Sequence, residues 1–139
     1  MLYPELKIAS GHDNEAGFVA IETVVATAPR CTPVPRGSVA ERALSGKLRR
    51  DGSVDVVWSW GILSHSDLDT LITTYLGTWD TDSAEVTIRT LKRDGTYGNY
   101  NAVMYLPVAD GEDEEGGYEQ RTTRKLTNVR IRFANLTAT

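Results

Sequence analysis

Leu48-Arg49-Arg50-Asp51-Gly52 and Leu91-Lys92-Arg93-Asp94-Gly95 repeat one punctuation, each copy set between stretches that alternate apolar and polar residues. An Asp-Gly pair can take the positive φ angles of tight turns whose twist matches that of paired strands, so both copies read as β-hairpins. The first hairpin would bury Leu44, Gly46 and Leu48 on one arm and Val54, Val56, Trp58 and Trp60 on the other, with Lys47, Arg49, Ser53, Asp55 and Ser59 outward. Val57 departs from that alternation. The second sets Val86, Ile88 and Thr90 opposite Tyr100, Ala102, Met104 and Leu106, while Val103 and Tyr105 make its other face apolar too. A strand apolar on both faces is usually covered on both, by a sheet, a helix or another subunit.

Between the hairpins one short amphipathic helix is predicted. Ser64 or Ser66 caps it, Asp67 and Asp69 stand in the first turn where the macrodipole favours negative charge, and Gly77 stops it. Leu68, Leu71, Ile72, Tyr75 and Leu76 recur at helical spacing as its core face, with Thr70, Thr73 and Thr74 outside. Residues 3–9 read as a first strand and Gly11 to Asn14 as a turn. Gly17 to Thr27, rich in Val, Ile and Thr, reads as a long strand, ended by Pro29, Pro33 and Pro35. Residues 28–40 then form a loop or arm, and residues 108–125 a long acidic then basic loop. A last strand carries Val129, Ile131 and Phe133 inward and Asn128, Arg130 and Arg132 outward.

These elements predict a single domain over residues 1–139, mainly β with one helix: an antiparallel β-sandwich or half-open barrel flanked by a single α-helix. A chain of 139 residues can bury a core without a disulfide or metal, and the lone Cys31 can form no internal disulfide. Glu5, Asp13, Glu15 and Glu22 interrupt every apolar run near the start, so neither a secretory leader nor a membrane anchor is expected. A formal charge of −4 argues against whole-surface attraction to nucleic-acid phosphates.

Few residues invite chemistry. His12, His65 and Cys31 are too few for a nitrogen and sulfur zinc site, and nothing around Cys31 marks a Cys-His dyad. The run Asp110, Glu112, Asp113, Glu114, Glu115 lacks the ligand alternation of a calcium loop and reads as a solvated, self-repelling segment. No phosphate loop, nucleophile elbow or nucleotide fingerprint is present, so no catalytic residue, cofactor or metal is assigned and no enzyme is expected. Trp58, Trp60 and Tyr100 would suit a base-stacking surface, but their parity with Val54, Val56 and Met104 places them in the core. Tyr97, Tyr105 and Tyr118 stand off that stripe and, with Val103, Arg121 and Arg124, are candidates for an interface between subunits.

The order of strands, arm, hairpin, helix, hairpin, long loop and final strand resembles the tail-tube fold of long-tailed bacteriophages. That family includes major tail tube, distal tail and tail terminator proteins. The resemblance is carried by Leu44 to Trp60, Asp67 to Leu76, Val86 to Pro107 and Val129 to Leu136. It implies a structural virion protein whose partners are copies of itself in a hexameric ring, stacked rings, and other phage tail proteins, with double-stranded DNA passing through unbound. It also implies synthesis in the bacterial host cytoplasm and residence in the virion tail. Six copies would carry −24, six times the −4 of one chain. An acidic lumen would repel DNA phosphates, and Asp55, Glu85 and the Asp110, Glu112, Asp113, Glu114, Glu115 cluster are candidates to line it. Residues 28–40 and 108–125 are expected to become ordered only against neighbouring subunits. The alternative from another class is a monomeric β-barrel module that binds single-stranded nucleic acid or a small apolar ligand.

Overall fold

The computed structural model describes residues 6–25, 27, 29–32, 55–109, 117–119 and 124–139, and the backbone alone of 39–42, 48–50 and 120. The chain is mainly β with one principal helix, as the alternating patterns predict. An antiparallel ladder runs through β2 (Val19–Ala20), β1 (Lys7–Ser10), β7 (Ser83–Leu91), β8 (Tyr97–Tyr105), β11 (Lys125–Ala138), β6 (Val56–Ser64) and β3 (Arg30–Cys31). β10 (Gly117–Gln120) pairs with β11, and β9 (Val108–Ala109) runs parallel to β10. β4 (Val39–Arg42) and β5 (Leu48–Arg50) form a two-stranded sheet apart from this path.

The long β11 joins the two halves of the main sheet. It pairs with β6 from Lys125 to Phe133 and with β8 from Phe133 onward. The sheet folds back on itself: the indole N–H of Trp58 on β6 donates at 3.1 Å to the hydroxyl of Thr90 on β7, three strands away along the ladder. Between the halves lie Ile8, Val86, Ile88, Ala102 and Met104 from one and Val56, Trp58, Trp60, Val129, Ile131 and Phe133 from the other, all buried. Trp58 and Phe133 meet as tilted rings with centroids 4.7 Å apart.

Local chemistry places the helix α2 (His65–Tyr75). The Ser64 hydroxyl accepts from Asp67 N at 3.1 Å, filling one of the unpaired donors of the first turn. At the far end Gly77, at φ 91°, donates its N–H to Ile72 O at 3.1 Å, a left-handed stop that only glycine adopts without strain. Leu68, Leu71, Ile72, Tyr75 and Leu76 are buried, and the helix lies against β6, β1 and the short α1 (Ile21–Val24).

Four expectations change. Gly17 to Thr27 is not a long strand: a 3₁₀ turn over Glu15–Gly17, the two-residue β2 and the single turn α1 take its place. The helical turn brings Ile21 and Val25 inward and leaves Thr23 exposed, its hydroxyl donating to Ala20 O at 2.6 Å; a strand would have put all three on one face. Packing overrides the β-propensity of the segment. Among the described residues the strands flanking Asp51-Gly52 are not partners either, since β5 pairs with β4 and β6 with β11 and β3. β6 gains more from β11, where Trp60 faces Val129, Trp58 faces Ile131 and Val56 faces Phe133. Leu44, Gly46, the Asp51-Gly52 turn and Val54 lie outside the described residues.

The β7–β8 hairpin has the predicted register, with Val86 opposite Ala102 and Ile88 opposite Tyr100. Its turn is longer than a two-residue one: Lys92 N donates to Thr96 O at 2.7 Å and Gly95 alone takes a positive φ, 88°. The Asp94 carboxylate accepts from the hydroxyl and N–H of Thr96, which holds it below the usual carboxylate range. Finally, the segments 28–40 and 108–125 contain β3, the start of β4, β9, β10 and the first residue of β11, so neither is wholly a loop.

Two asparagines within β11, Asn128 and Asn135, take positive φ angles of 52° and 55°. Across Asn128 the buried positions step from Leu126 to Val129, three apart instead of two, and opposite it on β6 they step from Trp60 to Leu63. Leu63 and Leu126 thus reach the core, and Ile62, which simple alternation would bury, is left 61% exposed.

Candidate functional site

The face of β7 and β8 opposite Val86 and Ile88 carries Glu85, Thr87, Arg89 and Leu91 facing Val103, Asn101, Asn99 and Tyr97, and of these Leu91 and Tyr97 pack against the core. A polar strap crosses its middle. Gly11 N donates to Glu85 O at 2.9 Å, and the fully buried Thr87 hydroxyl donates to Gly11 O at 2.7 Å and accepts from Asn14 N at 3.1 Å. Asp13 and Asn101 exchange two bonds, Asp13 N to Asn101 Oδ1 at 2.8 Å and Asn101 Nδ2 to Asp13 Oδ1 at 3.0 Å. His12 lies 3.1 Å through Nε2 from Ala102 O, which places the proton on that nitrogen, and 3.9 Å through Nδ1 from Glu85. Glu15 accepts from the Thr139 hydroxyl, tying the strap to the end of β11.

Either side of the strap are the predicted interface residues. On one side Tyr97 lies under the Arg89 guanidinium, 5.9 Å from its ring centroid, and Arg89 donates to Asn99 at 3.1 Å. On the other, Arg132 donates through Nε to Asp55 at 2.9 Å and covers the Tyr105 ring at 5.6 Å. Val103 is half-buried between Glu85 on β7 and Ala134 on β11. Tyr105 and Arg132, with Asp82, Leu106 and Val108, line a shallow depression. Tyr118 lies apart on β10, half-buried, and the exposed Arg124 precedes β11, its carbonyl accepting from His65 N at 2.8 Å.

Of the carboxylates proposed for a lumen, Asp55 is 17% exposed and engaged by Arg132, whereas Glu85 is 68% exposed. Asp110 to Glu115 and Arg121 lie outside the described residues. Trp58 and Trp60 are buried, Trp60 donating to Thr27 O at 2.8 Å, so neither presents a face for stacking bases. Tyr100 is half-buried. His65 stacks on Trp79 at 5.8 Å, and Trp79 donates to Asp69 at 2.7 Å, so the histidine closes the start of the helix. Cys31 is buried, and desolvation pushes its thiol above the ordinary range, which makes it a poor nucleophile. Among the described residues no three His, Cys, Asp or Glu side chains group as metal ligands, and no helix is long and apolar enough to cross a membrane.

Sequence reasoning missed the three large apolar side chains most exposed among the described residues, Val19, Ile62 and Val108. Val19 lies in a segment read as one long strand, and Ile62 faces outward opposite the positive φ of Asn128, where the burial alternation changes phase, which no local pattern announces. No protein-family model, curated protein or solved structure matches the chain.

Proposed function

We propose that this chain is a structural virion protein, the repeating subunit of a ring-forming phage tail tube, with rings of six copies stacked around a DNA channel. One observation carries the reading: among the described residues the main sheet branches at β11 and ends at β2, β3 and β9 with no pairing between those ends, so the sheet keeps open margins instead of closing into a barrel. Open margins are templates for association, and cyclic assembly is the arrangement that covers them without leaving a free end. The β4–β5 pair, which joins no other strand among the described residues, suits an arm that reaches a neighbouring ring. Distal tail and tail terminator rings share these demands. Burial of both Trp58 and Trp60 weighs against the monomeric nucleic-acid-binding module, which needs exposed aromatic rings.

Size-exclusion chromatography with light scattering, followed by negative-stain microscopy, tests the reading. Rings or tubes are expected; a stable monomer at every concentration reached would overturn it.

A further inference from the structure

One register row across β3, β6 and β11 brings two arginines to a single serine. Arg30 on β3 and Arg130 on β11 both pair with Ser59 on β6, and directly paired residues of antiparallel strands point to the same side of a sheet. Trp58 and Trp60 are buried on the core side of β6, so Arg30, Ser59 and Arg130 stand on its other side. Arg30 is exposed and bonds no carboxylate among the described residues. Arg130 is half-buried, and its Nε donates to Asn128 O at 3.2 Å, which holds the guanidinium beside that asparagine. Opposite Arg130 on β10 is Gly117, which has no side chain to fill the row. A Cβ at Gly61 would meet no atom within 4 Å. Arg30, Ser59, Trp60, Gly61 and Asn128 line an open depression of about 410 Å³, within the size range of small-ligand clefts. The carboxylates neighbouring this row in the ladder are Asp55, which accepts from Arg132 at 2.9 Å, and Glu119, which accepts from the Thr127 hydroxyl at 3.5 Å. From Val56 to Ser66 there is no acidic residue.

From this arrangement we infer that the row of Arg30, Ser59 and Arg130 is a binding site for a phosphate group. Each guanidinium offers a planar fork of donors that fits an edge of the phosphate tetrahedron, and the hydroxyl between them adds a third donor. A carboxylate has its two oxygens on one edge and serves one fork; a phosphate presents oxygens to both at once. The hollow beside Gly61 and Asn128 leaves room for whatever carries the phosphate. With −4 on the whole chain, attraction to phosphates is confined to this spot and should saturate there. The inference goes beyond the ring reading and does not rest on it, since the whole row lies within one chain.

Equilibrium dialysis of the full chain against radiolabelled inorganic phosphate, at an ionic strength fixed with sodium chloride, tests the site. Saturable binding of one phosphate per chain is expected, weakened about tenfold by Arg30→Ala, which removes charge-assisted donors without disturbing a packed group. Arg30→Lys should recover part of that loss, because the charge stays and the fork does not. Arg93→Ala, on the exposed β7–β8 turn, should leave binding as it was. Fluorescence anisotropy of a labelled oligothymidylate separates the two sources of the phosphate. A nucleic-acid strand as the ligand should bind more tightly than phosphate and lose affinity both with added salt and with Arg30→Ala. Phosphate binding without strand binding assigns the site to free phosphate or a small phosphorylated molecule. Absence of saturable phosphate binding, or binding that Arg30→Ala leaves unchanged, would overturn the site, and rings seen by microscopy alongside that result would leave the ring reading intact.

Discussion

Replacing Thr90 by Val isolates the bond that holds the two halves of the sheet together. Thr90 and Trp58 are both fully buried, and the Thr90 hydroxyl accepts the indole N–H at 3.1 Å. Valine keeps the shape but removes the acceptor, leaving an indole donor in the core without a partner. That costs about 1–3 kcal/mol, and at about 4 °C per kcal/mol for a chain of this size the melting temperature should fall by roughly 4–12 °C. In a Trp58→Phe background the donor is already gone, so the further loss on Thr90→Val should shrink to under about 0.5 kcal/mol, a coupling of about 0.5–3 kcal/mol between the two sites. Urea unfolding of the four proteins followed by far-ultraviolet circular dichroism reads the cycle directly. If Thr90→Val costs the same in both backgrounds, the bond does not join the halves and the reasoning is wrong.

Truncating Leu76 or Tyr75 to Ala should cost about 2–5 kcal/mol in the same assay, because both close the core under α2; a loss under ~1 kcal/mol would contradict that burial. Gly77→Ala meets no atom within 4 Å of the added Cβ, so the penalty of about 1–2 kcal/mol comes from the backbone at φ 91° alone, and thermal unfolding should show it. Burial raises the Cys31 thiol and, at Tyr75, the phenol above their ordinary values, so the folded chain keeps protons that the unfolded chain releases. Stability from these groups is whole below the unfolded pKa values of about 8.5 and 10 and is lost as pH rises beyond them toward the folded ones. The urea midpoint should therefore drop above about pH 9, and Cys31→Ala with Tyr75→Phe should flatten the decline; a rise with pH would refute the sign.

Short-range chemistry wrote part of this structure in the open. The Ser64 cap, the Gly77 stop and the apolar spacing of Leu68, Leu71, Ile72 and Tyr75 are enough for α2, and alternation with Gly95 is enough for the β7–β8 hairpin, because every partner involved lies within a few residues. The same Asp-Gly punctuation did not make partners of β5 and β6 among the described residues. Alternation tells a strand which side to bury but carries no record of whom it pairs with, and β6 found in β11, about 70 residues away, a better match for its buried Val56, Trp58 and Trp60. Ile21 and Val25 likewise turned a β-prone segment into a helical turn because a core already shaped by α2 and β1 received them that way. The open sheet margins, and the exposure of Ile62 near one of them, belong wholly to tertiary structure: they follow from strand order and from the change in burial phase across Asn128, both set by the global competition for buried apolar surface.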